Sequence, residues 1–319
     1  MSLYSKKKIV ILGGGTGTSV VLRGLKYFPV DITAVITVSD NGSSTGKLRE
    51  EFSMPAMGDV RQVLTNLSTL PDDVKGVMEQ RFDTDSDLDG HPMGNLLLTA
   101  FYQKNGNLKD SIESMSQLLK VEHKVLPLSE DCLTLRGFTF DGEVVDGESE
   151  VAAKNKRYRR IAYKEQPHVL PEVIEAINAA DLILLSTGSL YTSLLPHLAC
   201  KEVADAIKKS PAKVMYICNA MTQPGETDGF NVTDHIKVLE YYLGKRALDA
   251  VVISDNVVPK NLLEKYAEQE QKEQVVVDEE NLKTAPYDVL RAGLLIASNG
   301  MIRHDSLKLS SIIFHYLMR

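Results

Sequence analysis

Short unbroken apolar runs recur along the chain, each bounded by glycine, proline or polar residues. They are KIVIL (8–12), ITAVITV (32–38), LILLS (182–186), VMYIC (214–218) and LDAVVIS (248–254). Runs of this length without polar alternation predict strands buried on both faces, as in a parallel sheet. Between them apolar residues recur at helical spacing, which predicts helices over 18–27, 60–70, 94–103, 108–120, 171–179, 197–209 and 233–243. The C-terminal RHDSLKLSSIIFHYL predicts a closing amphipathic helix that starts at Asp305 or Ser306. Such alternation predicts an α/β chain with a mostly parallel sheet and helices on both faces.

One stretch breaks the rhythm. From about 121 to 165, CLTLRGFTFDGEVVDGESEVAA alternates polar and apolar residues around Asp-Gly and Gly-Glu turns, the pattern of antiparallel strands. It is expected to be a small inserted β-rich lobe of a single 1–319 domain. EQEQKEQVVVDEENLK carries a short apolar run between charges and predicts one more short strand.

Composition narrows the class. The 319 residues are 43% hydrophobic and 25% charged, with a net charge of −7. A nucleic-acid carrier is not expected, because phosphate contacts need clustered Lys and Arg. The densest basic stretch, KNKRYRR (154–160), reads as a solvated strand face. Cys132, Cys200 and Cys218 lie far apart without metal-ligand spacing, which suits a reducing cytoplasm. No run of about eighteen apolar residues predicts a membrane span.

The chemistry concentrates at strand ends. VILGGGTGT runs from a strand through Gly13, Gly14, Gly15, Thr16, Gly17 and Thr18 into a helix. Bare backbone at a helix start lets amides approach a phosphate, and the helix dipole favours the anion. The spacing is not that of the dinucleotide fingerprint, since Thr18 stands where Gly or Ala is required; a tight ligand-free turn is the plainer alternative. Asp40 closes the second strand, where an acid can meet a ribose hydroxyl. NGSSTGKLR (41–49) falls one residue short of a phosphate-binding lysine loop, and Leu48 replaces its Mg²⁺-binding hydroxyl. DSDLDGHPMGNL starts like a calcium loop but has Pro92 inside it and Leu96 at its last ligand position.

Further polar sets follow other strands or open helices: Gly58 and Asp59 in MGDVRQ, and His91 and Asn95 in GHPMGNL. STGSLYTSL supplies Gly188, Ser189, Thr192 and Ser193, and NAMTQPGETDGF supplies Asn219, Thr222, Gln223 and Glu226. Ligands of open α/β sheets bind beyond the carboxyl ends of the strands, so these loops are expected to converge on one crevice. Any one of them alone could be helix capping, and His91 alone reads more simply as structural.

In chain order, GGGTGTSVVLRGLK, ITAVITVSDNGSSTGKLR, GDVRQ, GHPMGNLLL, GSLYTSLLPHL, MTQPGETDGFNVTDHI and IRHDSLKLS resemble the motifs of the YvcK-like gluconeogenesis factors. These form a branch of a wider family with the CofD-like 2-phospho-L-lactate transferases. The resemblance spans nearly the whole chain. It implies a Rossmann-like fold that binds a nucleotide or nucleotide-sugar, above all a UDP-sugar such as UDP-N-acetylglucosamine. It also implies a cytoplasmic role in cell shape and envelope synthesis during growth on gluconeogenic carbon. Two positions depart from the pattern: Asn41, a candidate ligand contact beside Asp40, stands where the branch carries a second acid, and Ser186-Thr187-Gly188 stands where Gly-Pro-Gly is common.

Two functions compete. In the first, a regulatory sensor holds phosphates at residues 13–18, ribose or metal at Asp40, and base or sugar with Ser189, Thr192, Asn219, Thr222 and Gln223, then changes its contacts with a protein partner. In the second, a transferase uses Asp40 and Asp59 to hold Mg²⁺ on a nucleotide diphosphate donor. A nicotinamide-dependent oxidoreductase would rest on the glycine loop alone. The sequence leaves a homo-oligomer open.

Overall fold

The computed structural model describes residues 6–153, 156–244, 248–256, 258–298 and 301–319. Its strands are β1 (Lys7–Gly13), β2 (Val30–Ile36), β3 (Lys124–Pro127), β4 (Leu135–Thr139), β5 (Val144–Asp146) and β6 (Tyr158–Tyr163). They continue as β7 (Leu182–Leu185), β8 (Lys213–Ile217), β9 (Ala250–Ser254), β10 (Asp288–Ala292), β11 (Leu295–Ser298) and β12 (Met301–His304).

The first helices are α1 (Gly15–Leu25), α2 (Ser43–Phe52), α3 (Gly58–Leu67), α4 (Asp72–Glu79), α5 (Met93–Asn105), α6 (Leu108–Leu118) and α7 (Glu148–Ala153). The rest are α8 (Pro171–Ala179), α9 (Leu195–Ala199), α10 (Lys201–Lys209), α11 (Val232–Leu243), α12 (Lys260–Glu270), α13 (Glu279–Leu282) and α14 (Ser306–Leu317).

Seven strands form one sheet in the order β10-β9-β8-β7-β1-β2-β3, and every neighbouring pair in it is parallel. The apolar runs are unbroken because successive side chains serve two different cores. Val10, Leu12, Ile183 and Leu185 pack on the face that also buries residues of α8, α10 and α11. Ile9, Ile11, Leu182 and Leu184 pack on the opposite face with residues of α1, α3 and α14. The fold is thus a Rossmann-like α/β sheet with helices on both faces. From β1 the chain order runs one way through β2 and β3 and the other way from β7 through β10. The topological switch point therefore lies between β1 and β7, and a crevice opens there beyond the carboxyl ends of the strands.

The irregular stretch divides in two. Its first part, β3, joins the main sheet by pairing Thr33–Ile36 with Lys124–Pro127, so antiparallel structure begins only at β4, in the sheet order β5-β4-β6. This smaller sheet shares the main core: Tyr158, Val151 and Ile161 lie in the same cluster as Leu12 and Leu185. The Tyr191 hydroxyl ties it down by donating to the Tyr158 carbonyl at 3.0 Å. Of the basic stretch 154–160, Lys154 and Asn155 lie outside the described residues. Arg160 lies 3.7 Å from the centre of the Phe138 ring.

Other elements differ from the sequence expectation for local reasons. The helix predicted over 197–209 is interrupted at Cys200, which takes an extended conformation between α9 and α10; Leu190–Leu194 precede α9 as a π-helical turn. Residues 43–52, for which the sequence predicts no element, form α2 despite Gly46 and paired serines. Around the apolar run near 275, isolated bridges link Gln274 to Met221 and Val276 to Asn231. No helix among the described residues is long and apolar enough to cross a membrane.

Candidate functional site

The glycine turn sits at the switch point, between the end of β1 and the start of α1. Its bareness is required by protein neighbours as well as by any ligand. A Cβ on Gly17 would lie 1.7 Å from the Thr187 carbonyl oxygen, and one on Gly15 would lie 2.5 Å from an Asp59 oxygen. Gly13 packs in the same way on Thr18 and Ser186, and Gly14 lies between Asp59 and Ser193. The loops after β1 and β7 and the start of α3 are thereby locked backbone to backbone. The Gly15 amide already donates to Asp59, so a carboxylate occupies part of the helix start.

One half of the crevice is acidic. The Gly42 amide donates to Asp40 Oδ1 at 2.8 Å, which turns the chain from β2 into α2. Asp59, the second residue of α3, is pushed up to about 6 by burial and then by the nearby charge of Asp40. Glu148, at the start of α7, is pushed up to about 7 by burial, with Asp40 adding to the shift. Glu226, only 2% exposed, is also raised to about 7 by burial. It accepts from the Ser189 hydroxyl and, at 3.1 Å, from the Tyr191 amide; its other oxygen has no hydrogen-bond partner among the described residues. The Thr192 hydroxyl donates to Ser189 Oγ at 2.7 Å, so Ser189 and Thr192 form a relay that ends on Glu226. Among the described residues no three His, Cys, Asp or Glu side chains gather in a metal-holding group.

The other half is a cavity of about 350 Å³. Thr16, Gly17, Gly188, Ser189, Asn219 and Gln223 line its inner side. The Asn219 amide holds the loop after β7, donating to the Gly188 carbonyl at 2.5 Å and accepting from the Gly188 amide at 3.4 Å. Thr222 lines the cavity too and pairs with Glu273 through both its amide and its hydroxyl. The outer wall comes from the C-terminal part of the chain: Tyr266, Glu270, Lys272, Ile302, Arg303 and His304. A larger basin of about 790 Å³ adjoins it at Thr16 and Arg303 and is lined by Arg23, Lys26 and Lys75 among others. Burial and then Arg303 hold Arg23 below its usual value.

Three sequence candidates, Asn41, His91 and Asn95, make their contacts elsewhere. Asn41 is committed to the inserted lobe, accepting from the Ser149 amide at 2.9 Å and donating to Glu150 at 3.0 Å. His91 and Asn95 both bond the Ser44 hydroxyl, at 2.8 and 3.0 Å, and Asn95 also accepts from Arg61 at 2.9 Å. That buried network joins α2, α3 and α5, and neither His91 nor Asn95 lines the cavity or the basin. Gly58 opens α3, where a Cβ would lie 2.4 Å from Thr45 Oγ1.

Sequence reading missed Glu148 and the whole outer wall. Glu148 sits in a lobe whose pattern announced only strands and turns. His304 stands directly before Asp305, the N-cap of α14, and was read only as part of a helix start.

Comparison with known proteins gives these features a context. The family model described as 2-phospho-L-lactate transferase CofD matches residues 9–295. A gluconeogenesis factor of Bacillus subtilis is 42% identical over 313 residues, which cover 98% of this chain and 98% of that protein. A gluconeogenesis factor of Halalkalibacterium halodurans is 40% identical over 97% of this chain and 96% of its own length. The crystal structure of a UPF0052-family protein from Bacillus halodurans superposes with a TM-score of 0.93 at 40% identity, covering 97% of this chain and 99% of that one.

Proposed function

This chain belongs to the 2-phospho-L-lactate transferase CofD family, and on that footing we propose that it is a cytoplasmic regulatory protein that binds a nucleotide-sugar, with a UDP-sugar as ligand. The observation that carries the reading is the switch-point cavity, with Thr16 and Gly17 at one end and Asn219, Thr222 and Gln223 beside them. A cavity of about 350 Å³ is within the range of small-molecule sites. In this reading α1 amides beyond Gly15 meet the phosphates, and the loops after β7 and β8 choose the other end. The name gluconeogenesis factor, carried by relatives that align over nearly their full length, supports a role linked to gluconeogenesis. Control of cell shape and envelope synthesis through a protein partner is the finer form of that proposal. Calorimetry with UDP-N-acetylglucosamine tests the ligand: saturable heat at one site is expected, and absence of heat while another nucleotide binds tightly would reject it.

The acidic half favours a second reading, group transfer from a nucleotide diphosphate donor. Its donor set fits a hard divalent cation. Asp40 and Asp59 lie close enough for their charges to oppose each other, and Mg²⁺ takes one or two carboxylates with the remaining oxygens from phosphates and water. Asp40 and Asp59 would hold the ion, which when bound would neutralise charge on the phosphates. Glu226 and Glu148, raised toward neutrality, are suited to hold or release a proton near pH 7. Release of nucleoside monophosphate on mixing a donor that carries a phospholactyl-type group, an acceptor and Mg²⁺ would favour transfer; none at saturating ligand leaves the sensor.

A further inference from the structure

The outer wall of the cavity holds a polar group that the protein itself does not use. His304 ends β12, is 6% exposed and lines the cavity. Among the described residues no hydrogen bond reaches its ring, whereas the rings of His91, His197 and His235 each have one. Burial pushes it down to about 4, so near pH 7 it is a neutral imidazole with one N–H donor and one bare nitrogen acceptor. With no protein partner, both ring nitrogens are left for a bound ligand.

The surroundings decide what kind of ligand group faces it. Val20, Ala220, Met221, Tyr266 and Ile302 give this part of the cavity apolar sides. Tyr266 is fixed, because its hydroxyl accepts from the Ile302 amide at 2.7 Å. Lys272 pairs with Glu270 at 2.7 Å, so the two bring little net charge. Arg303 stands on the same wall and also lines the adjoining basin, while the apolar sides with the neutral donor-acceptor edge of His304 suit a flat, uncharged heterocycle.

We propose that His304 reads the hydrogen-bonding edge of the ligand's heterocyclic base, within the cavity that Met221 and Tyr266 also line, and so determines which nucleotide the cavity accepts. This rests on the nucleotide-binding reading above and assigns its base end to the C-terminal hairpin β11–β12. It also divides the ligand: phosphates toward Thr16 and Gly17, base toward His304.

Calorimetric titration of the full chain with UDP, GDP, ADP and inorganic pyrophosphate tests it, in wild type, His304→Leu and His304→Gln, with thermal melting as the check on folding. Wild type is expected to prefer one of the three nucleotides. His304→Leu should weaken that nucleotide roughly tenfold and flatten the preference, as expected for one or two lost hydrogen bonds. Pyrophosphate binding should be unchanged. His304→Gln, which keeps a donor and an acceptor, should recover most of the loss. Equal nucleotide affinity in wild type and a folded His304→Leu would overturn the inference, as would parallel weakening of nucleotide and pyrophosphate. If wild type binds neither nucleotide nor pyrophosphate, the nucleotide reading itself falls; pyrophosphate binding without nucleotide binding would overturn the inference alone.

Discussion

The two halves of the crevice share the glycine turn but are built on opposite electrostatic terms. On one side Asp59, Glu148 and Glu226 are crowded and desolvated, each held well above its ordinary value. On the other, Asn219, Thr222, Gln223 and His304 offer neutral hydrogen-bonding groups around a cavity whose outer wall also carries Arg303 and the Lys272–Glu270 pair. Crowded acids store an unfavourable term that a proton, a cation or a hydroxyl-rich ligand group relieves. Neutral donors and acceptors select by shape and hydrogen-bond pattern. The difference teaches that the raised carboxylates and the cavity's hydrogen-bonding groups occupy different sides of the glycine turn, with Thr16 and Gly17 on the cavity side.

The strongest way to break the comparison is to damage the seam. Gly17→Ala would drive a methyl group to within 1.7 Å of the Thr187 carbonyl. A stability loss of roughly 3 kcal/mol is expected, together with loss of nucleotide binding; denaturant unfolding and calorimetry read the two. Unchanged stability would show that the loops after β1 and β7 are not locked together.

The acidic half can be isolated by pH. Because Glu226 binds its proton more tightly folded than unfolded, the native state holds more protons between its unfolded and folded values, and stability falls as pH rises across that window. Ligand-free protein should therefore be less stable at pH 8 than at pH 5.5, with up to about 2 kcal/mol from Glu226 alone. Glu226→Gln should flatten the profile, and a flat wild-type profile would contradict the electrostatic account. Over the same range the neutral half should keep its preference among nucleotide bases, since His304 stays uncharged throughout.

A smaller effect tests the lobe that delivers Glu148. Asn41→Ala removes the bonds to Ser149 and Glu150 and should cost about 1 kcal/mol. Hydrogen exchange should rise around residue 149, while nucleotide affinity changes less than twofold. A large loss of affinity without loss of stability would return Asn41 to the ligand site.

Much of the scaffold was legible in the chain, because strands buried on both faces must be written as unbroken apolar runs. KIVIL and LILLS announced β1 and β7, and hence the place where a crevice opens. Glycine at 17 was legible as well, although its close approach to Thr187 was not. What stayed hidden depends on long-range placement. Nothing local to Glu148 says that its lobe folds back over Asp40, and nothing local to His304 says that a hairpin closes the cavity beside Met221. The hydroxyl of Ser44 draws His91 and Asn95 into a buried network, which a motif at a helix start could not distinguish from a ligand site.

A crystal structure with UDP-N-acetylglucosamine bound tests the central claim most directly. The account predicts phosphate oxygens within hydrogen-bond reach of α1 amides near Thr16 and Gly17, with the rest of the ligand running into the cavity beside Asn219. Density for the ligand elsewhere, with those amides facing only solvent, would contradict it.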